Sequence, residues 1–144
     1  MPQKPLKFQE ITAEIIYYFL IFFLCYTASN KLIKLDSFKT NLIKTTLFSP
    51  DQADLFSVLI ILLEVVLIVV LIFIKNIGLL FCCLTMLIFT LYISFLRYKG
   101  LYEVCGCGGI LNGLEYVYHF IINISLIAGS LFSFLTFYSI NDEK

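Results

Sequence analysis

Tryptophan is absent from this chain, histidine occurs once, and charge is scarce. Lys and Arg number 10, Asp and Glu 10, together 14% of 144 residues, where a soluble domain carries about a quarter. The two signs cancel to zero net charge. No basic field exists to hold nucleic acid, and no acidic tail is present. Without Trp, an aromatic belt at membrane interfaces would have to be made of Tyr. Period-two alternation is also missing, which excludes a half-buried β-sheet protein. What is there instead is apolar: 60% of the residues are hydrophobic and the mean hydropathy is +0.96. A chain this short makes one domain, taken here as 1–144, and a single soluble core of that size could not hide so much apolar surface.

The apolar residues fall into long runs, at about 11–28, 55–74, 77–96 and 114–138. Each is close to the roughly 20 residues a helix needs to cross a hydrocarbon core of about 30 Å. In lipid every backbone group must be bonded within its own segment, which a helix achieves. The expected fold is an all-α membrane protein, a four-transmembrane-helix bundle. Lys4 and Lys7 before the first run resemble the basic start of a signal peptide. Tyr26, however, occupies the place where a cut after Ala28 needs a small residue, so a retained first helix is the better reading. Between the first two runs, Leu32, Leu35, Phe38, Leu42 and Ile43 recur at three- and four-residue spacing among Lys34, Lys39 and Lys44. That spacing predicts an amphipathic interfacial helix ending near Ser49-Pro50. The link around Lys75 and Asn76 is so short that the helices it joins must form an antiparallel hairpin.

Chemistry concentrates in the last connection, which reads Cys105-Gly106-Cys107-Gly108-Gly109. Two thiols one residue apart can close on each other, exchange with a partner thiol or bind a soft metal. Closing so small a ring needs a sharp backbone bend, which Gly106 permits. A strained disulfide of this kind is easily reduced, and suits a reactive bond better than a structural one. A metal site using Cys105, Cys107 and His119 is the alternative, short of a ligand for a closed zinc centre. Free thiols in a turn is the plainest reading. Cys82 and Cys83 read as small buried hydrophobes, and Cys25 as core packing in preference to an electron relay.

Glu64 interrupts the second run in IILLEVVLIV. A carboxylate there is costly in lipid, so it should face the bundle interior and find a partner among Lys31, His119 and the Tyr hydroxyls. A proton-carrying role and a structural hydrogen bond are equally compatible with that position. Tyr116, His119 and Asn123 lie three and four residues apart, on one face of the last helix. His119 could take a thiol proton or hydrogen-bond a quinone oxygen, with Tyr116 and Asn123 beside it. A His that merely bridges two helices is the bland alternative.

These residues resemble the MauE branch of the DoxX-like membrane proteins. The resemblance rests on Ala28-Ser29-Asn30-Lys31-Leu32, Phe38, Leu63-Glu64, Cys105-Gly106-Cys107, and His119 with Asn123 in YVYHFIINI. Gly108 stands where the family usually carries an aromatic residue. The resemblance implies a four-helix membrane protein that passes redox equivalents between a thioredoxin-like protein and the membrane, with quinone as candidate acceptor. On that reading Cys105, Cys107, His119 and Glu64 are the catalytic candidates, and Tyr116, His119 and Asn123 the quinone-binding ones. A noncatalytic subunit of a larger membrane complex is the rival reading. The expected location is the bacterial inner (cytoplasmic) membrane, with the CGC loop exoplasmic. Lysine placement opposes that orientation. Lys4, Lys7, Lys75 and Lys144 lie with the termini, against Lys31, Lys34, Lys39, Lys44, Arg97 and Lys99 with the loop.

Overall fold

A computed structural model describes residues 7–102, 111 and 113–142. The motif Cys105-Gly106-Cys107 lies outside the described residues. Five helices account for nearly all the rest: α1 (Lys7–Ile33), α2 (Leu35–Lys44), α3 (Pro50–Phe73), α4 (Lys75–Tyr98) and α5 (Tyr116–Asp142). All but α2 are long and apolar enough to span a bilayer. The protein is an all-helical membrane protein with four candidate spans and a short amphipathic helix between the first two.

The helices run past the apolar stretches that announce them, because polar residues can end an apolar run without ending a helix. α1 continues beyond Ala28 through Ser29, Asn30 and Lys31. There the Asn30 side chain donates back to the Tyr26 carbonyl at 3.1 Å. Leu32 therefore belongs to the last turn of α1, and the amphipathic helix starts only at Leu35. Its buried residues, Phe38 and Leu42, pack on Ala53, with Phe48 and Ile60 alongside. Ser49-Pro50, expected as the stop for the amphipathic helix, is the start of α3. Ser49 caps it, exchanging hydrogen bonds with Gln52 in both directions, and Pro50 occupies its first turn.

α3 and α4 are joined through Ile74 alone, whose φ of −131° and ψ of 72° break the helix. The resulting hairpin is tighter than the Lys75-Asn76 link suggested. Around the bundle, α1 packs on α3, α3 on α4, α4 on α5 and α5 back on α1, while α2 lies against α3. The central core is built from Tyr17, Leu20, Leu24, Leu71, Leu79 and Leu126, among others. Hydroxyls stitch neighbouring helices through backbone carbonyls. Tyr17 donates to Leu71 at 2.7 Å, Ser130 to Leu79 at 2.6 Å and Ser133 to Ala13 at 3.1 Å. Such bonds between membrane helices contribute about 0.6 kcal/mol each. Only 22% of the most apolar stretch of α3 is buried inside the bundle. Its outward face, including Leu59, Leu62, Val66, Val69 and Phe73, is exposed and apolar, as lipid contact requires.

Candidate functional site

Helix α1 presents Lys31 inward in its last turn. Its ammonium donates to Glu64 Oε1 of α3, and the two form a salt bridge. Lys31 is 5% exposed and Glu64 1%. The Lys31 Nζ also lies 5.4 Å from the Phe89 ring centroid and 6.0 Å from that of Phe38, so aromatic faces supplement the carboxylate. Of the candidate partners for Glu64, then, Lys31 is the one paired with it. Glu64 Oε2 and the Tyr92 hydroxyl are buried without a hydrogen-bond partner among the described residues. Since a buried polar atom is ordinarily satisfied, both mark a place where further polar contacts would be favourable.

The chain reaches this site from α4 through a Schellman turn. Gly100 at φ 72° follows the helix. Its amide donates to Arg97 at 3.1 Å, and that of Leu101 donates to Leu96 at 2.9 Å. The left-handed conformation favours glycine here. The turn packs Leu101 and Tyr102 against Ile93, Leu96 and Tyr116. Tyr102 then donates its hydroxyl proton to the Leu114 carbonyl at 2.8 Å, and its oxygen lies 3.1 Å from His119 Nδ1. Burial, and then neighbouring Tyr116, push the Tyr102 phenol above its ordinary range, so it remains a donor at neutral pH.

His119 and Asn123, 2% and 3% exposed, lie one turn apart on α5. A cavity of about 60 Å³ lies among all five helices and is lined by Lys31, Glu64, Tyr92, His119 and Asn123 on its polar side. Phe23, Phe38, Met86, Phe89 and Leu111 contribute to its apolar side. That volume accommodates several water molecules or part of a larger ligand. Three residues singled out in the sequence, Glu64, His119 and Asn123, thus meet at one cavity. Tyr116 is half-buried outside its lining. Its hydroxyl pairs with Ser94 at 3.1 Å, and its ring meets Tyr102 edge-on.

The cysteines among the described residues stand apart from the site. Cys82 is in the central core and Cys83 is half-buried. Cys25 is exposed on the outside of α1, so it does not pack in the core as expected. The inward stripe of α1 passes through Tyr17, Leu20, Leu24, Ala28 and Lys31, and each successive residue is turned about 100° around the axis. No group of three His, Cys, Asp or Glu residues among the described residues could hold a metal ion. The metal reading that uses Cys105 and Cys107 lies outside them.

The family model for the methylamine utilisation protein MauE matches residues 9–136. This chain belongs to the MauE family. No curated protein and no solved structure matches it. The MauE match covers every residue on which the resemblance was drawn, and the fold gives part of that set a common location. Lys31, Phe38, Glu64, His119 and Asn123 come from α1, α2, α3 and α5, yet all line the same cavity. Tyr102 and Tyr92 are members of the site that the sequence did not single out. Tyr102 precedes α5 in a connection where helical spacing gives no face, and Tyr92 is one tyrosine of nine within a long, mostly apolar helix.

Proposed function

We propose that this MauE-family protein is a membrane thiol–disulfide redox protein that passes electrons from a thioredoxin-like partner towards the membrane. The observation that carries this reading is the position of the ionisable cavity relative to the CGC motif along the chain. Tyr102, hydrogen-bonded to His119, precedes Cys105 by three residues, and Leu111, in the cavity wall, follows Cys107 by four. The spacing supports the reading because chain length alone bounds the separation, at most about 11 Å for three residues and about 14 Å for four.

In the exchange step, a thiolate of the reduced partner attacks one sulfur of a Cys105–Cys107 disulfide. A mixed disulfide forms and the other cysteine leaves as thiolate. The second partner thiol then displaces the first cysteine. The partner ends as a disulfide and the CGC pair as a dithiol, two electrons and two protons richer. Reoxidation must remove both. His119 and Glu64 are groups able to hold a proton beside the cavity. The lining supports an uncharged ligand or the head of a larger one, with Phe23 and Phe89 among its apolar residues and Asn123 and Tyr92 as donors to a carbonyl. A quinone, when bound, would supply an acceptor for two electrons and two protons. The reading assigns Cys105 and Cys107 to exchange, His119 and Glu64 to proton handling, and Asn123 to ligand binding. Tyr116 supports Tyr102 from outside the cavity.

An exoplasmic CGC loop in a bacterial inner membrane goes with this chemistry, because disulfides persist on the oxidising side. The lysine count opposes it less than the bare sequence suggests. Lys31 is buried in the bundle, which reduces the loop side from six cations to five, against four with the termini.

Single Cys105→Ser and Cys107→Ser variants test the exchange. The exchange is reversible, so the loop thiol that remains attacks the disulfide of an oxidised thioredoxin-like protein. One variant should accumulate the covalent complex on non-reducing gels, because the loop thiol that would resolve it is gone. Cys107, nearer α5, is the preferred resolving thiol. Absence of a trapped partner in both variants would overturn the exchange mechanism. Full function in the double variant would leave the noncatalytic-subunit reading in its place.

A further inference from the structure

The hydrogen bonds around Tyr102 determine which nitrogen of His119 carries the proton. A carbonyl oxygen can only accept, so the Tyr102 hydroxyl proton is committed to Leu114 at 2.8 Å. The Tyr102 oxygen, 3.1 Å from His119 Nδ1, is left with lone pairs alone to offer. The bond between them forms only if Nδ1 bears hydrogen. In a neutral imidazole the other nitrogen, Nε2, then holds the lone pair. An unrestrained histidine in water favours the opposite tautomer, with hydrogen on Nε2.

We propose that Tyr102 is a positioning residue that holds His119 in the Nδ1–H tautomer, making Nε2 the basic nitrogen of the cavity wall. The groups facing His119 allow this role. Across the cavity the Lys31 ammonium is engaged by Glu64 Oε1, and Glu64 Oε2 has no hydrogen-bond partner among the described residues. With Nε2 unprotonated, two acceptors, Nε2 and Oε2, belong to one cavity. They are matched to a ligand or thiol that arrives carrying hydrogen, and each could receive a proton. Tyr102 also stands three residues before Cys105. The residue that sets the tautomer is thereby part of the connection that carries the thiols. This consequence for proton transfer rests on the redox reading above; the tautomer itself rests only on the hydrogen bonds.

The single histidine makes the test direct. Protein labelled with ¹⁵N-histidine and purified in detergent yields one imidazole spectrum with no assignment needed. At about pH 9, well above the ordinary imidazole range, the wild type should show a one-bond hydrogen coupling at Nδ1 and a lone-pair shift at Nε2. Tyr102→Phe keeps the ring but removes the oxygen, and should move the population towards Nε2–H. Tyr116→Phe, which breaks the Ser94 contact instead, should leave the tautomer unchanged and so controls for loosened packing. An Nε2–H wild type, or a Tyr102→Phe spectrum identical to wild type, would overturn the proposal. If the tautomer moves as expected while thiol turnover is unaffected, the redox reading of the cavity fails and the positioning role stands.

Discussion

At the scale of single residues, the buried pair Lys31–Glu64 governs the site. Burying two charges costs several kcal/mol each, offset only when they remain together, and removing one partner of such a pair costs about 3–5 kcal/mol. Lys31→Met should therefore lower thermal stability in detergent by about that amount. Lys31→Met combined with Glu64→Leu should recover most of the loss, since neither charge is then stranded. A double variant as unstable as the sum of the singles would show that the two residues are not coupled. Glu64→Gln retains an acceptor for Lys31 and should fold; if Glu64 carries protons, its redox turnover should still fall. The sequence showed that Glu64 must find a partner, since a lone carboxylate in lipid is expensive. It could not choose Lys31, because that choice depends on α1 continuing as helix beyond its apolar run.

At the scale of elements, α3 and α4 approach closely within their hairpin. A Cβ built on Gly78 would fall on the Leu71 backbone, 2.8 Å from its amide nitrogen. The Leu71 carbonyl also accepts the Tyr17 hydroxyl, so three helices converge there. Close backbone approach through small residues is a usual way for membrane helices to associate. Gly78→Ala should destabilise the bundle by about 1–3 kcal/mol, as overpacking does, because backbone atoms have no rotamer in which to yield. Gly129 makes an internal comparison. A Cβ there meets only the Ile16 Cγ2 at 3.0 Å, a methyl that can move, so Gly129→Ala should cost less. Thermal unfolding of the two variants in the same detergent orders them; a larger loss for Gly129→Ala would contradict the crossing geometry. Helix existence was legible from run length at every span. The start of α3 at Pro50 was not, because its first turn, Pro50 to Ala53, has no large apolar residue and is marked by a capping box rather than by hydropathy.

At the scale of the whole molecule, the four candidate spans put the start of α1 and the end of α5 on one side, and the end of α4 with the start of α5 on the other. The proposed function requires that side to be exoplasmic. In a Cys25→Ser/Cys82→Ser/Cys83→Ser background, a membrane-impermeant thiol reagent applied to intact cells after mild reduction should label the CGC pair. Labelling that appears only after lysis would place the loop in the cytoplasm, and would remove an exoplasmic thioredoxin-like protein from the candidate partners. The apolar belt of outward residues on α3 and α4 suits contact with lipid, while the cavity draws its lining from all five helices.

Composition and run length by themselves determined a membrane protein of four long helices, because a peptide backbone in hydrocarbon has few other ways to bond itself. They also identified Glu64 as a carboxylate that lipid would not tolerate facing outward, and put His119 and Asn123 on one face of the last helix. Only the tertiary structure decided how these residues meet. Helical periodicity specifies the face of one helix, but not its rotation or depth against the next. Those follow from close contacts such as Gly78 on Leu71 and from the serine and tyrosine bonds between helices. The same contacts pair Glu64 with Lys31, bring Tyr102 onto His119, leave Tyr116 outside the cavity, and turn Cys25 away from the core.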